Sequence, residues 1–338
     1  MTAAASRYRR GDLVEVKGLE EILGTLDADG KLEGLPFMPE MARYCGQRLR
    51  IHRRAARTCV EGLGLRGMAG TVLLEGTRCD GSAHEGCQRV CLLFWKDAWL
   101  KPCDSAVSET PCGCVPRTEP RERSESPGPL RGPINDPAAL PTRKGDRFCC
   151  QSTELPGATC DFPPGNLRHL FGDLFAGEAT PAEIVRIFWW KVVNRLRRHF
   201  GRGLHKHIRG TEPKPAKGEL HLVPGEWVEV KSAPEIAVLL DAEGKNHGLT
   251  FEKEMLEYCG GRYQVAFRIE KIILEESGKK AGKMVTLANT VALQGITCRG
   301  TCAKNCPRDN YLWWRESWLR RVAEQPLGGP PSPNRCRS

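Results

Sequence analysis

Alternating apolar and polar positions recur in two separate stretches of the chain. Leu13-Val14-Glu15-Val16 alternates as a half-buried strand does, and Trp227-Val228-Glu229-Val230 repeats that pattern far downstream. Further apolar runs, such as Thr71–Glu75 and Thr290–Gln294, predict later strands. Turn signals of the type Asp29-Gly30 separate these short segments. Short strands with turns at this spacing favour a small β-barrel in each stretch.

The two stretches are diverged copies of one module. Gly11–Lys17 aligns with Gly225–Lys231, and the agreement continues as far as the shared Tyr-Cys-Gly that ends at Gly46 and Gly260. The alignment resumes at Cys79 and Cys298 after a short insertion in the second copy. Self-similarity over this length indicates an internal duplication.

The first strand of each copy, Gly-Asp/Glu-x-Val-x-Val, is similar to the first strand of SH3-like barrels. We therefore predict a mainly β fold with some α structure, in which two tandem SH3-like small β-barrel modules are joined by a disordered linker and a helical segment. The predicted order is a flexible N-terminus (1–9), the first module (10–102), a disordered Pro/Arg linker (103–144), a middle segment (145–202), a second linker (203–223), the second module (224–322) and a flexible C-terminus (323–338).

The middle segment has clear signals for one helix at 181–200. Thr180 fits the N-cap, Pro181 the first helical position and Glu183 the third, and Gly201 follows the helix. The helix has an apolar stripe with two tryptophans and a basic face, as interfacial membrane helices do. Two interpretations stay open: the stripe packs against a β-module, or it makes peripheral contact with a membrane.

Composition narrows the function classes without selecting one. The 338-residue chain has a formal net charge of +10, which favours acidic partners, nucleic acid or an anionic membrane. Its start lacks the apolar core of a secretory signal, so we expect a cytoplasmic, or membrane-associated, protein. The 16 cysteines in such a reducing location favour metal ligands or free thiols over disulfides.

Each copy ends in a cysteine cluster that resembles a structural zinc site. Short-spaced thiolates on a turn supply part of a tetrahedral ligand set. In the first copy the predicted zinc ligands are Cys79, Cys87 and Cys91 with Cys59, and Cys45 or His84 as the alternative fourth ligand. Buried free thiols and redox chemistry are the other interpretations of this cluster.

In the second copy, Cys298, Cys302 and Cys306 are the predicted zinc ligands, with Cys259 or a nearby histidine as the fourth. Ile273 stands where Cys59 would align, and Asn310 faces Cys91. The second site has therefore either relocated its ligands or decayed.

Several motifs are similar to an uncharacterised family of bacterial hypothetical proteins with tandem β-modules and Cys clusters. The motifs are Gly34–Met41, Tyr44–Gly46, Cys79–His84, Trp95–Leu100 and Cys150–Leu155. Genes of this family are often found in polysaccharide or specialised-metabolite clusters, and the resemblance implies no known activity. This chain departs from the family in its long Pro/Arg linker and in the incomplete ligands of the second copy.

The sequence has no P-loop, dinucleotide fingerprint, HExxH or nucleophile elbow. We therefore expect a non-enzymatic scaffold or binding protein built from two metal-stabilised β-modules, accessory to a biosynthetic gene cluster and with a protein as its partner. One alternative is a nucleic-acid-binding protein, which is less favoured because no aromatic and basic stripe repeats between the copies. Another is a thiol-dependent enzyme that uses Cys87 or Cys149.

Overall fold

The computed structural model is mainly β and has two five-stranded antiparallel sheets, each curled into a half-barrel. The described residues are 6–103, 136–162, 172–174, 177–178, 180–200, 208–211, 218–275, 280–300 and 306–322. Most of the predicted Pro/Arg linker (104–135), the predicted C-terminal tail (323–338) and Cys302 lie outside them.

The first module contributes strands in the order expected from its apolar segments. They are β1 (Leu13–Val16), β2 (Lys31–Leu32), β3 (Leu35–Pro36), β4 (Arg48–Arg54), β5 (Arg57–Val60), β6 (Gly64–Gly67), β7 (Thr71–Arg78), β8 (Leu92–Lys96) and β9 (Leu100–Pro102). The half-barrel has the order β8-β7-β4-β1-β9. Helix α1 (Leu19–Leu23) and 3-10 helices at Pro39–Tyr44, Ser82–His84 and Asp97–Trp99 connect the strands.

The second module repeats this order with β20-β19-β16-β13-β21. Its strands are β13 (Trp227–Val230), β14 (Lys245–Asn246), β15 (Leu249–Thr250), β16 (Arg262–Arg268), β17 (Lys271–Ile273), β18 (Met284–Thr286), β19 (Thr290–Thr297), β20 (Tyr311–Arg315) and β21 (Leu319–Arg321). Helix α4 (Ala233–Ala237) and 3-10 helices at Lys253–Tyr258 and Glu316–Trp318 correspond to those of the first module.

Four tryptophans fill the two cores at matching positions. Trp95 and Trp99 in the first module, and Trp314 and Trp318 in the second, have no exposed surface. Phe37 packs edge-on against Trp99 with ring centroids 5.4 Å apart, and Phe251 does the same against Trp318 at 5.2 Å. These rings are therefore core residues and not a stacking surface.

The middle segment belongs largely to the first module. A 3-10 helix at Pro137–Ala139 precedes strands β10 (Arg143–Lys144) and β11 (Arg147–Phe148), so residues 136–144 of the predicted linker are structured. Helix α2 (Gln151–Ala158) follows, and β12 (Cys160–Asp161) pairs with β6. The Gln151 side chain accepts a hydrogen bond from the Phe94 backbone N–H and donates one to the Phe94 carbonyl, each at 2.8 Å. It therefore covers the edge of β8.

The long helix of the middle segment, α3, spans Pro181–His199, where the sequence predicts a helix at 181–200. Glu178, which precedes this helix, contacts the first module. It accepts hydrogen bonds from the Arg54 backbone and guanidinium, both at 2.8 Å. Ile184 is buried near the start of the helix. Several apolar residues that follow it are exposed, namely Val185, Trp189, Val192, Leu196 and Phe200.

Candidate metal centre and module interface

The loop from Cys79 to Cys91 lies over one end of the first half-barrel. Gly81 has a positive φ of 72°, and a side chain there would collide with the backbone of Cys87. Gly300 has the same conformation against Cys306 in the second module. Both loops therefore need glycine at this turn, since only glycine has room there and adopts this conformation without strain.

Three metal-compatible side chains meet beneath this loop in the first module. Glu40 comes from the 3-10 helix before β4, Cys79 from the end of β7, and His84 from the 3-10 helix in the loop. Their ligand atoms all lie within 4.8 Å of one another. The Cys79 thiol donates to Glu40 Oε1 at 3.1 Å, and His84 Nδ1 lies 3.4 Å from the same oxygen. The Glu40 and His84 side chains are each only 1% exposed.

Two atoms of this group are buried without a hydrogen bond, namely Glu40 Oε2 and His84 Nδ1. The other ring nitrogen of His84, Nε2, lies 3.0 Å from the Cys149 carbonyl. A bond between Nε2–H and this carbonyl turns the Nδ1 lone pair towards the Glu40 carboxylate. That arrangement is unfavourable unless a proton or a metal ion lies between the two.

Glu40 and His84 shift each other's pKa in the directions expected for an ion pair. Burial opposes charging of His84, but the Glu40 carboxylate outweighs burial and raises the pKa of His84. Burial likewise opposes ionisation of Glu40, yet His84 and the Cys79 thiol lower its pKa. Burial, together with the Glu40 carboxylate, raises the pKa of Cys79, which favours the neutral thiol over the thiolate.

The donor set fits zinc. Carboxylate oxygen, thiolate sulfur and imidazole nitrogen are all zinc ligands in proteins, and a carbonyl on the second ring nitrogen is the usual support of a ligating histidine. A cavity of about 20 Å³ lies beside the group and is also lined by Cys87, Cys91 and Cys150. Within the described residues the protein supplies three convergent ligands, and this cavity has room for a fourth.

The second module keeps two of these three residues. Glu254 aligns with Glu40 and Cys298 with Cys79, but Ala303 stands where His84 would be. Glu254 accepts a hydrogen bond from the Arg299 backbone at 2.9 Å, and Cys298 accepts one from Gly300 at 3.3 Å. Residues 301–305, which include the predicted ligand Cys302, lie outside the described part of the chain.

The predicted ligands Cys87 and Cys306 lie where the two modules meet. Cys87 Sγ accepts a hydrogen bond from the backbone of Ile273 in the second module at 3.4 Å. Cys306 Sγ accepts the equivalent bond from Cys59 in the first module at 3.2 Å. Because Cys59 aligns with Ile273, the two contacts are related by an approximate twofold symmetry, as in an isologous dimer.

An arginine next to each cysteine extends this symmetry. Arg89 donates to the Ile273 carbonyl at 3.1 Å, and Arg308 donates to the Cys59 carbonyl at 3.3 Å. Both guanidinium groups also contact Glu275, whose side chain has no exposed surface. Burial opposes ionisation of Glu275, but Arg308 and Arg89 hold its pKa below its usual range.

Cys59 and Cys306 form a thiol pair between the modules. The Cys59 thiol donates a hydrogen bond to Cys306 Sγ. This hydrogen bond lowers the pKa of Cys306 and raises that of Cys59. Cys59 is therefore positioned by Cys306 of the other module, whereas Cys79 is positioned by Glu40. The zinc ligand set predicted for the first copy is thus divided between two places in the structure.

Two further predicted ligands, Cys91 and Cys259, each contact a nearby polar group. Cys91 lies 3.3 Å from the Ser152 hydroxyl, and Cys259 contacts the Met255 carbonyl at the end of its 3-10 helix. Burial raises the pKa of both Cys87 and Cys149, the two candidate nucleophiles. A raised pKa disfavours the reactive thiolate at both positions.

Sequence reasoning named His84 only as an alternative ligand and gave Glu40 no role. The matching Glu40 and Glu254 of the two copies were the available signal, but a single carboxylate per module does not suggest a site. What brings Glu40 to Cys79 is the packing of the 3-10 helix at Pro39–Tyr44 against the 3-10 helix in the loop.

No protein-family model matches the chain, and comparisons with curated proteins and with solved structures found no similar protein. None of the helices among the described residues is both long and apolar enough to span a membrane.

Proposed function

We propose that this chain is a non-enzymatic scaffold or binding protein, in which zinc bound by Glu40, Cys79 and His84 stabilises the first module. The observation that carries the proposal is the pair of buried atoms, Glu40 Oε2 and His84 Nδ1, that have no hydrogen-bond partner beside a buried thiol. A bound cation would satisfy all three groups at once.

The closed geometry supports a structural metal. The cavity beside the three ligands is about 20 Å³, which is room for about one water molecule and not for a substrate. Structural zinc sites are closed in this way, whereas catalytic zinc sites keep an open position for substrate. The fourth ligand would come from this cavity, which Cys87, Cys91 and Cys150 also line.

Binding of zinc would hold the loop between Cys79 and Cys91 on the half-barrel. That loop also provides Cys87 and Arg89 to the module interface, so the metal would support the contact between the two modules. The SH3-like barrel predicted for each module is part of this proposal, as is a role accessory to a biosynthetic gene cluster with a protein as partner.

Nucleic acid is not the favoured partner of the modules. Several arginines of the modules are engaged by carboxylates, as Arg54 is by Glu178 and Arg308 by Glu275. Such side chains cannot form the free basic surface that phosphate binding requires.

Cobalt(II) substitution tests the metal proposal. Cobalt bound to a thiolate gives a near-ultraviolet charge-transfer band, which we expect in the full chain and expect to be lost in Cys79→Ser. Cys298→Ser, the matched change in the second module, should keep the band. Absence of the band from the parent protein, or its loss only in Cys298→Ser, would overturn the assignment.

A second proposal concerns helix α3 and an anionic membrane surface. Trp189 is 63% exposed and Phe200 is 70% exposed, and together with Val185, Val192 and Leu196 they form an apolar stripe along the helix. Arg195 is exposed on the same helix, and the sequence adds further lysine and arginine. An apolar stripe with basic flanks binds the interface of anionic bilayers.

Flotation with anionic vesicles at low and high salt tests this second proposal. We expect the full chain to float at low salt and to float less at high salt, because salt screens exposed charges. Trp189→Ala with Phe200→Ala should abolish flotation, whereas Val238→Ala, at another exposed apolar position, should not. A parent protein that does not float at low salt would exclude membrane contact by this helix.

A further inference from the structure

The second module has a cleft where the first module has an ion pair. The cleft has a volume of about 240 Å³ and is lined by the turn between β14 and β15, by the connection from β18 to β19, and by Arg315. His247 and Thr286 at its rim are exposed, so the cleft opens to solvent, whereas Arg315 is only 6% exposed.

Arg315 is held in this cleft entirely by neutral acceptors. Its guanidinium donates to the carbonyls of Asn246 at 3.2 Å and His247 at 2.8 Å, to the Thr290 hydroxyl at 2.9 Å, and to the Ala288 carbonyl. No carboxylate among the described residues forms an ion pair with it, and burial alone lowers its pKa. A guanidinium nevertheless stays charged, so a buried positive charge here lacks a counterion among these residues.

The first module shows what a counterion at this position looks like. Lys96 aligns with Arg315, and its ammonium group contacts Glu33 at 2.7 Å and the Ala69 carbonyl at 3.1 Å. Glu33 aligns with His247, and both residues occupy a left-handed turn, with φ of 50° and 45°. The duplication has therefore kept the buried cation while replacing the carboxylate that neutralises it.

We propose that the cleft of the second module binds a small carboxylate-bearing molecule, whose carboxylate meets Arg315 as the Glu33 carboxylate meets Lys96. Burial of a charge without a counterion is costly, and the bonds to neutral acceptors leave one of the five guanidinium N–H donors for a carboxylate oxygen. The volume lies below the range usual for drug-sized ligands, which indicates a metabolite of a few carbons.

One carboxylate among the described residues lies beside the lining of the cleft. Glu219 accepts a hydrogen bond from Asn289 at 3.3 Å at the rim of the cleft, but it makes no ion pair with Arg315. Its position at the mouth disfavours highly charged anions, so a mono- or dicarboxylate fits better than a polyphosphate.

Isothermal titration of the full chain with acetate and with succinate, at ionic strength fixed with sodium chloride, tests the proposal. We expect saturable binding of one anion per chain, and we expect His247→Glu to weaken it about tenfold or more, because the new side chain supplies the carboxylate internally. The double variant His247→Glu/Arg315→Lys copies the pair of the first module and should fold without binding either anion.

Gln294→Glu is the matched control, because it adds the same negative charge at an exposed position of β19 away from the cleft. This variant should bind as the parent protein does. The proposal fails if the parent protein binds neither anion above the chloride control, or if His247→Glu binds as tightly as the parent.

Discussion

The first and second modules share a strand order but treat buried charge differently. In the first, Glu40, Cys79 and His84 converge on one point, and Lys96 is neutralised by Glu33. In the second, the histidine position is Ala303, and Arg315 has only neutral acceptors around it. Duplication has thus preserved the apolar frame, while the polar residues at its edges have taken different roles.

The interface between the modules joins the two copies by reciprocal contacts. Cys87 and Arg89 of the first module contact strand β17 of the second. In the same way, Cys306 and Arg308 of the second module contact strand β5 of the first. Such reciprocal contacts are typical of a symmetric homodimer, in which the same patch is used twice. Within one chain the two patches can diverge, as Cys59 and Ile273 have done.

Glu275→Gln should have the largest effect on stability, because it leaves Arg89 and Arg308 buried beside a neutral amide. Removal of one partner from a buried ion pair costs about 3–5 kcal/mol, which denaturant unfolding of the full chain would measure. Glu61→Gln, the aligned residue, changes a side chain that is 41% exposed and should cost less than about 1 kcal/mol. Equal costs would show that the interface is not organised around Glu275.

Loss of the metal should have the next largest effect, confined to one module. Cys79→Ser should lower the free energy of unfolding by about 2 kcal/mol and abolish the further loss that a chelator causes in the parent protein. Cys298→Ser should remain sensitive to the chelator. A parent protein whose melting temperature does not change with chelator would contradict a structural metal.

Acid should weaken the second module through Glu316, which anchors the segment before β13. Its carboxylate accepts hydrogen bonds from the backbones of Leu220, His221 and Leu222 at 2.6–3.0 Å. Burial opposes its ionisation, but these bonds and Arg268 lower its pKa below the usual 4.5. A lowered pKa stabilises the fold above pH 4.5, and this stabilisation is lost as the pH falls through the pKa of the folded state.

Glu316→Gln should therefore cost about 1–2 kcal/mol at neutral pH and flatten the fall in stability below pH 4.5. Asp97, the aligned residue, accepts one backbone bond from Arg7 and one from the Ser6 hydroxyl, so Asp97→Asn should cost less. Thermal unfolding of both variants across this pH range makes the comparison. If Glu316→Gln loses stability with acid as the parent protein does, Glu316 is not the cause of the acid sensitivity.

Cys59→Ser should have the smallest effect, about 1 kcal/mol or less, because serine keeps a hydrogen bond to Cys306. It should leave the metal content unchanged, since Cys59 lies with Cys306 and not with Glu40. A loss of metal from this variant would show that Cys59 is a metal ligand, as the sequence alone predicts.

The strands were predictable from sequence because alternation reports burial directly, as at Val14 and Val228. The metal group was only partly predictable, because Glu40 is brought to Cys79 by contacts between elements far apart in sequence. The role of Cys87 at the module interface was hidden for the same reason, since a cysteine cluster looks alike whether it binds a metal or the backbone of a neighbouring module.

The most direct test of the account is the number of zinc ions per chain, measured by native mass spectrometry on the full-length protein and on two matched variants. We predict one ion in the parent protein, none in His84→Ala and one in Cys298→Ser, because only the first module unites carboxylate, thiol and imidazole among the described residues. A parent protein without zinc, or a zinc ion that is retained in His84→Ala and lost in Cys298→Ser, would contradict it.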